Sequence, residues 1–271
     1  CHILLYKTIG IACLSIDCHI HVFRRNSALA SSARHNPDFD AALDDVRALA
    51  KPAGIARFVL VQTSFMGTDN ALLAAELEQD PANLRGVFVL DPRTSAAELR
   101  DLRQSGVVGI RLNLFQKELA QTLAPEQLRL IERCAREGLS VGLHDDAARL
   151  LHILQRIDGR ADKLVIDHFG RPESLPGAES DPVYDALLEQ MALVGAHVMI
   201  AAPYRARNMN PRTAYARLKH ALGASKLLWG SDWPWTQHRD ALTYGAWVRP
   251  FGEENLAAAL QDNAAAFYGF R

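Results

Sequence analysis

His19 and His21 stand two positions apart in Asp17-Cys18-His19-Ile20-His21, at the end of the apolar run 14–19. In a strand, residues i and i+2 share a face, so both imidazoles can meet one cation or one substrate. Residues of related chemistry end other short apolar runs: His144 with Asp145 and Asp146, Asp167 with His168, and Ser231 with Asp232. Two further runs are followed by Arg111 with Asn113 and by Tyr204 with Arg205. Any one of these histidines alone would ordinarily be a packed or solvated residue. Together, imidazoles and a carboxylate form a donor set suited to one divalent ion, zinc or a similar borderline metal.

Such a convergence needs a scaffold that brings many strand ends to one place. Apolar runs at 14–19, 56–62, 85–90, 108–112, 140–144, 164–168, 197–201 and 226–231 alternate with helical patterns at 39–50, 70–79, 96–104, 125–137, 146–157, 182–194, 211–222 and 253–266. Runs apolar on both faces suit a parallel sheet covered by helices. Eight consecutive strand–helix units predict an α/β fold, a single-domain (β/α)₈ TIM barrel spanning 1–271, with its site at the C-terminal ends of the strands. A length of 271 residues with 49% hydrophobic side chains is ample for that core. No glycine-rich phosphate fingerprint opens a helix after the first strand, which argues against a dinucleotide fold.

Residues 1–13 form an apolar lead-in with Lys7 in its middle, too short to span a membrane and without a small-residue cleavage site. It reads as trimmed or non-native. Thirty basic against thirty-one acidic residues give a net charge of −1, so no global field favours nucleic acid or an anionic membrane. The partner expected is a small anionic molecule. Cys1, Cys13, Cys18 and Cys134 show no C-x-x-C pair, which argues against a disulfide framework or a cysteine-ligated zinc and suits a reducing cytoplasm.

Asp17-Cys18-His19-Ile20-His21 resembles the strand-1 signature of the amidohydrolase superfamily. Val165-Ile166-Asp167-His168-Phe169-Gly170-Arg171-Pro172 and Leu228-Trp229-Gly230-Ser231-Asp232-Trp233-Pro234 resemble the strand-6 and strand-8 signatures of its amidohydrolase-2 branch. Within that branch, Gly109-Ile110-Arg111-Leu112-Asn113 and Ala202-Pro203-Tyr204-Arg205 are similar to segments of the 2-pyrone-4,6-dicarboxylate hydrolases and related lactonases. The resemblance implies that Arg111 and Arg205 hold substrate carboxylates, a role to which a guanidinium fork is suited. The alternative for each is a pairing with a neighbouring aspartate. Lys117 stands where those enzymes carry another arginine, and Tyr204 and Thr63 are further substrate contacts. His144 departs from the tyrosine of the metal-independent lactonases and matches a ligand of the metal-dependent relatives. The implied metal set is therefore His19, His21, His144 and Asp232 around one divalent ion, conditional on a metal being bound.

The activity implied is hydrolysis of a carboxylated lactone, a pyrone dicarboxylate or a sugar-acid lactone, with Asp232 as general base and His168 stabilising or protonating the oxyanion. A metal-dependent decarboxylase of the same branch and a silent anion-binding barrel are the competing readings. Gln62 is a further candidate substrate contact, Arg24 and Arg25 face either substrate or solvent, and Trp229, Trp233 and Trp235 either stack on a planar ring or pack beneath the strand-8 loop.

Overall fold

In the computed structural model, the strands are β1 (Ile16–Ile20), β2 (Arg57–Val61), β3 (Leu84–Phe88), β4 (Val107–Asn113), β5 (Ser140–His144), β6 (Leu164–Ile166), β7 (His197–Ile200) and β8 (Leu227–Trp229). They pair in parallel in the order β1 to β8. Helices α1 (Leu43–Ala50), α2 (Ala71–Gln79), α3 (Ala96–Gln104), α4 (Pro125–Arg136), α5 (Ala147–Ile157), α6 (Pro182–Leu193), α7 (Pro211–Leu222) and α8 (Glu254–Tyr268) follow the strands in turn. This is the expected (β/α)₈ barrel. The structure describes residues 16–31, 33–34, 36–118, 124–157, 159–176, 181–206, 208–239, 242–244 and 254–270, the segment 254–260 as backbone only. The lead-in, Cys1, Cys13 and the expected start of the last helix at Glu253 lie outside the described residues. Among the described residues, no helix is long and apolar enough to cross a membrane.

Local chemistry sets the helix starts. Ser95 and Glu98 close a reciprocal capping box on α3, Asp181 accepts from the Val183 and Tyr184 amides at the head of α6, and proline opens α4, α6 and α7. The apolar stripe of each helix then faces the sheet, as Leu150, Ile153, Leu154 and Ile157 do on α5. Two buried clusters result. One lies between sheet and helices; the other joins Ile16, Val59, Val87, Val165, Met199 and Leu228 to the end of α8, a grouping that requires the inward faces of a barrel.

Two expected boundaries shift for physical reasons. Strand 6 stops at Ile166 rather than at 168, because His168 and Phe169 adopt left-handed φ values of 55° and 60° and leave the ladder. The first helix begins at Leu43 rather than at 39, because Phe23 and Ala41 exchange backbone hydrogen bonds of 3.1 and 2.9 Å and hold that stretch extended.

The seam between β8 and β1 closes by a different device. The Asp232 amide donates to the His19 carbonyl at 2.9 Å and the His21 amide to the Trp233 carbonyl at 2.8 Å. Below them the buried Asp17 carboxylate accepts from the amides of Ser231 (2.9 Å) and His19 (3.1 Å) and from the Tyr244 hydroxyl (2.8 Å). Asp17 is thus a clasp between first and last strands. Gly230 permits the approach, since a Cβ there would lie 2.4 Å from the His19 Cβ.

Candidate active site

The register of β1 on β2 shifts between Asp17 and Ile20. Cys18 belongs to the interior cluster and Ile20 to the outer one, so the phase of alternation changes above Cys18 and both His19 and His21 turn to the mouth. Asp232 and His168 arrive from positive-φ turns just beyond β8 and β6, at φ 57° and 55°. Left-handed non-glycine residues are uncommon and cluster where function over-determines the backbone.

Asp232 is the hub. Its Oδ2 accepts from the Tyr204 hydroxyl and from Arg205 Nε at 2.8 Å, and Arg205 Nη2 lies 2.8 Å from the same oxygen. Its Oδ1 has no hydrogen-bond partner, yet His19 Nε2 and His21 Nε2 lie 3.5 Å away and His168 Nε2 3.9 Å. Burial alone would raise this carboxyl, but Arg205, His168 and His21 together hold it well below the usual carboxylate range. Burial pushes the imidazoles of His19, His144 and His168 well below theirs. At neutral pH the site therefore presents an ionised carboxylate beside the uncharged imidazoles of His19, His144 and His168, and burial beside Asp232 keeps the Tyr204 phenol protonated.

The fit of a metal can be judged from orphaned atoms. His19 Nε2, His168 Nδ1 and Asp232 Oδ1 are buried without hydrogen-bond partners. Ligand atoms of His19, His168 and Asp232 lie within 4.8 Å of one another. That donor set fits a divalent ion. Of the set expected from sequence it holds His19 and Asp232; His168 joins them, and neither His21 nor His144 is in the cluster, His144 Nε2 facing Arg171 Nη1 at 3.2 Å while its Nδ1 is buried without a partner. His21 Nδ1 donates to the Val61 carbonyl (2.7 Å), which fixes its ring with Nε2 toward Asp232.

A cavity of about 420 Å³ opens above these groups, enough for a small molecule. Thr63, Arg111, His144, Tyr204 and Arg205 line it. Lys117 is exposed and is not among the residues that line it. Both arginines expected to hold substrate already carry a carboxylate, Arg111 through Nε to Asp167 Oδ2 at 2.8 Å and Arg205 as above. Gln62 is structural, donating to the Asp69 carbonyl. Arg24 and Arg25 are exposed, and Trp229, Trp233 and Trp235 are buried in the hydrophobic core and are not among the residues lining the cavity. Sequence reasoning missed Arg34 and Arg171, which also line the cavity. Arg171 lay within a quoted motif; Arg34 sits in an aperiodic loop that carried no signal.

A (β/α)₈ barrel with buried histidines and an aspartate at its C-terminal mouth defines a class of barrel hydrolases. The chain belongs to the amidohydrolase family, whose Amidohydro_2 model matches residues 16–270. It is 26% identical to a 2-pyrone-4,6-dicarboxylate hydrolase of Comamonas testosteroni, over 83% of this chain and 78% of that protein. It is 29% identical to a 4-sulfomuconolactone hydrolase of Rhizobium radiobacter, over 83% and 77%. A crystal structure from Acinetobacter baumannii, named a "probable 2-pyrone-4,6-dicarboxylic acid hydrolase" and holding citric acid, superimposes with a TM-score of 0.85 at 30% identity, covering 96% of this chain and all of that one.

Proposed function

We propose that this hydrolase opens a small lactone bearing acidic groups, with Asp232 as the general base. The observation that carries the reading is the divided Asp232 carboxylate. One oxygen is held by Tyr204 and Arg205, and the other is buried, unpartnered and turned toward three histidines. A carboxylate held well below its usual pKa is ionised at neutral pH and has one oxygen ready for the proton of a water attacking the lactone carbonyl. Water oxygen bonds to the carbonyl carbon as Asp232 takes its proton. The ring C–O bond then breaks, and the departing oxygen recovers that proton by way of Asp232 or His168. Neutral imidazoles at the mouth are hydrogen-bond donors for the developing oxyanion.

A guanidinium offers five N–H donors, of which Asp232 engages only part of Arg205, so the remainder can meet a substrate carboxylate. Such a carboxylate competes with Asp232 for Arg205 and strengthens the base as it binds. A divalent ion held by His19, His168 and Asp232, zinc by the chemistry of those donors, would supply Lewis acidity and a more acidic water. The relatives named above act on acidic lactones, which supports the substrate class. Buried free thiols at Cys18 and Cys134 suit a reducing cytoplasm.

The test is turnover of 2-pyrone-4,6-dicarboxylate and a panel of sugar-acid lactones, following acid and carbon dioxide together, with metal content measured. Acid release without carbon dioxide is expected. Asp232→Asn should lower kcat by about 10²–10⁴-fold while retaining affinity for the acidic ligand. Carbon dioxide as the product would establish a decarboxylase instead. Wild-type kcat in Asp232→Asn at full metal content would remove Asp232 as the base.

A further inference from the structure

Arg149, in the first turn of α5, is not part of the cavity lining, yet it grips the chain on either side of two residues that are. Its Nε donates to Asp145 Oδ2 at 2.7 Å, and its Nη2 donates to the carbonyls of Lys117 at 2.6 Å and Leu114 at 3.3 Å. Those carbonyls belong to the two ends of a tight turn, closed by the Lys117 amide donating to the Leu114 carbonyl at 2.9 Å. The central residues of the turn, Phe115 and Gln116, line the cavity. The Phe115 ring lies 6.0 Å from that of His144 and carries the Arg171 guanidinium 4.1 Å from its centroid.

This turn needs support from outside itself. Gln116 has a left-handed φ of 62° at the third position, where a positive φ ordinarily calls for glycine or asparagine. A larger residue keeps such a conformation only where its surroundings over-determine it. The Leu114 and Phe115 amides donate to the His144 carbonyl at 2.9 and 3.2 Å, which anchors the first half. The second half is exposed, and it is held by Arg149 at the Lys117 carbonyl and by a longer bond of 3.4 Å from Arg34 to the Gln116 side chain. Arg149 is itself fixed, since Asp145 is fully buried and its other oxygen accepts from the Asp146 amide at 2.9 Å. A planar guanidinium can meet a carboxylate and two carbonyls at once, which an ammonium cannot match.

We propose that Arg149 is a positioning residue for the substrate pocket: it braces the turn after β4, so that Phe115 and Gln116 form a wall of fixed position, and affinity for the substrate depends on that brace. The inference rests on reading this cavity as the substrate site of a lactonase and deepens it by naming what sets one wall. Arg149 reaches the ligand only through the turn, so its removal should loosen binding and leave Asp232 and the histidines where they are.

The probe is benzene-1,3-dicarboxylate, a planar acid with no lactone to open, titrated calorimetrically, with KM and kcat for 2-pyrone-4,6-dicarboxylate and melting temperatures measured beside it. Arg149→Met is made in an Asp145→Asn background, so that no buried carboxylate is left unpaired, and Asp145→Asn alone is its reference. Loss of Arg149 should raise the Kd of the dicarboxylate and the KM about tenfold, the scale of one charge-assisted hydrogen bond, with kcat kept within about threefold. Arg149→Lys in the wild-type background should show a loss of only about threefold, since it restores the charge without the fork. In Phe115→Ala, which weakens binding by itself, removal of Arg149 should add less than about twofold, because both act through one turn. A lower melting temperature with unchanged Kd and KM, the signature of a purely structural residue, would overturn the brace. So would a full tenfold loss on top of Phe115→Ala, a fall in kcat alone, or a wild type that binds no dicarboxylate. Dicarboxylate affinity that follows Arg149 in a protein opening no lactone would keep the brace and discard the lactonase reading; lactone opening with a KM indifferent to Arg149 would do the reverse.

Discussion

At the scale of the residue, Arg111 shows how a side chain expected to bind substrate can also carry a buried pairing that the sequence left open as an alternative. As a pure carboxylate binder it should affect KM alone. In the fold its Nε donates to Asp167 at 2.8 Å, with both side chains buried. Breaking a buried pair by removing one partner costs about 3–5 kcal/mol. Burial already pushes the Asp167 carboxyl up, so part of that cost is relieved by proton uptake. Arg111→Met should therefore lose about 3 kcal/mol of unfolding free energy in denaturant titration. Asp167→Asn added to it should restore most of that stability without restoring substrate affinity. A raised KM with unchanged stability in the single variant would make Arg111 a substrate ligand only. The types and convergence of His19, His21, His168 and Asp232 were legible because each follows an apolar run. Which arginine would already be paired was not, since Arg111 and Asp167 lie 56 positions apart and meet only across β4, β5 and β6.

At the scale of the element, the strand–helix alternation could be read because each strand is apolar on both faces and each helix on one. β5 falls where its run predicts, at Ser140–His144. β6 falls short because a left-handed turn begins at His168, the last residue of its predicted run, and no pattern of hydrophobicity encodes a positive φ there. The helix after β1 starts late because a Phe23–Ala41 bridge, formed by backbone atoms alone, competes with it. The β8–β1 junction was equally hidden. There Gly230 has a purpose that can be tested. Gly230→Ala would set a Cβ 2.4 Å from the His19 Cβ and 2.8 Å from its amide nitrogen, overpacking that typically costs 1–3 kcal/mol. Displacement of the strand that bears His19 and His21 should lower kcat more than it changes KM. Gly142→Ala on β5, whose added Cβ would stop 3.4 Å from its nearest neighbour, is the tolerated control. Equal melting temperatures and kcat for both variants would show that the approach of β1 to β8 is not constrained.

At the scale of the whole molecule, the end of the barrel opposite the site carries its own pH dependence. His197 begins β7, its ring 4.4 Å from that of Phe267, and its Nδ1 is buried without a partner. Burial first, then the cations Lys226 and Lys163, lower its pKa from 6.5 to about 4. The unfolded chain thus binds this proton more readily than the native one. Stability is present above pH 6.5 and is lost as pH falls toward about 4. His197→Phe should flatten the fall of the melting temperature across that window and leave the melting temperature at pH 8 little changed. An identical acid slope in wild type and variant would exclude His197 as a source of it. The Asp17 clasp has a consequence of another kind. It joins positions 214 residues apart, and the strands it joins carry His19 and Asp232. During synthesis the histidine pair leaves the ribosome long before its carboxylate exists, so a nascent chain carries no competent centre until the circle shuts. On the role proposed for Asp232, activity should appear only once the turn of chain that completes the ring has folded.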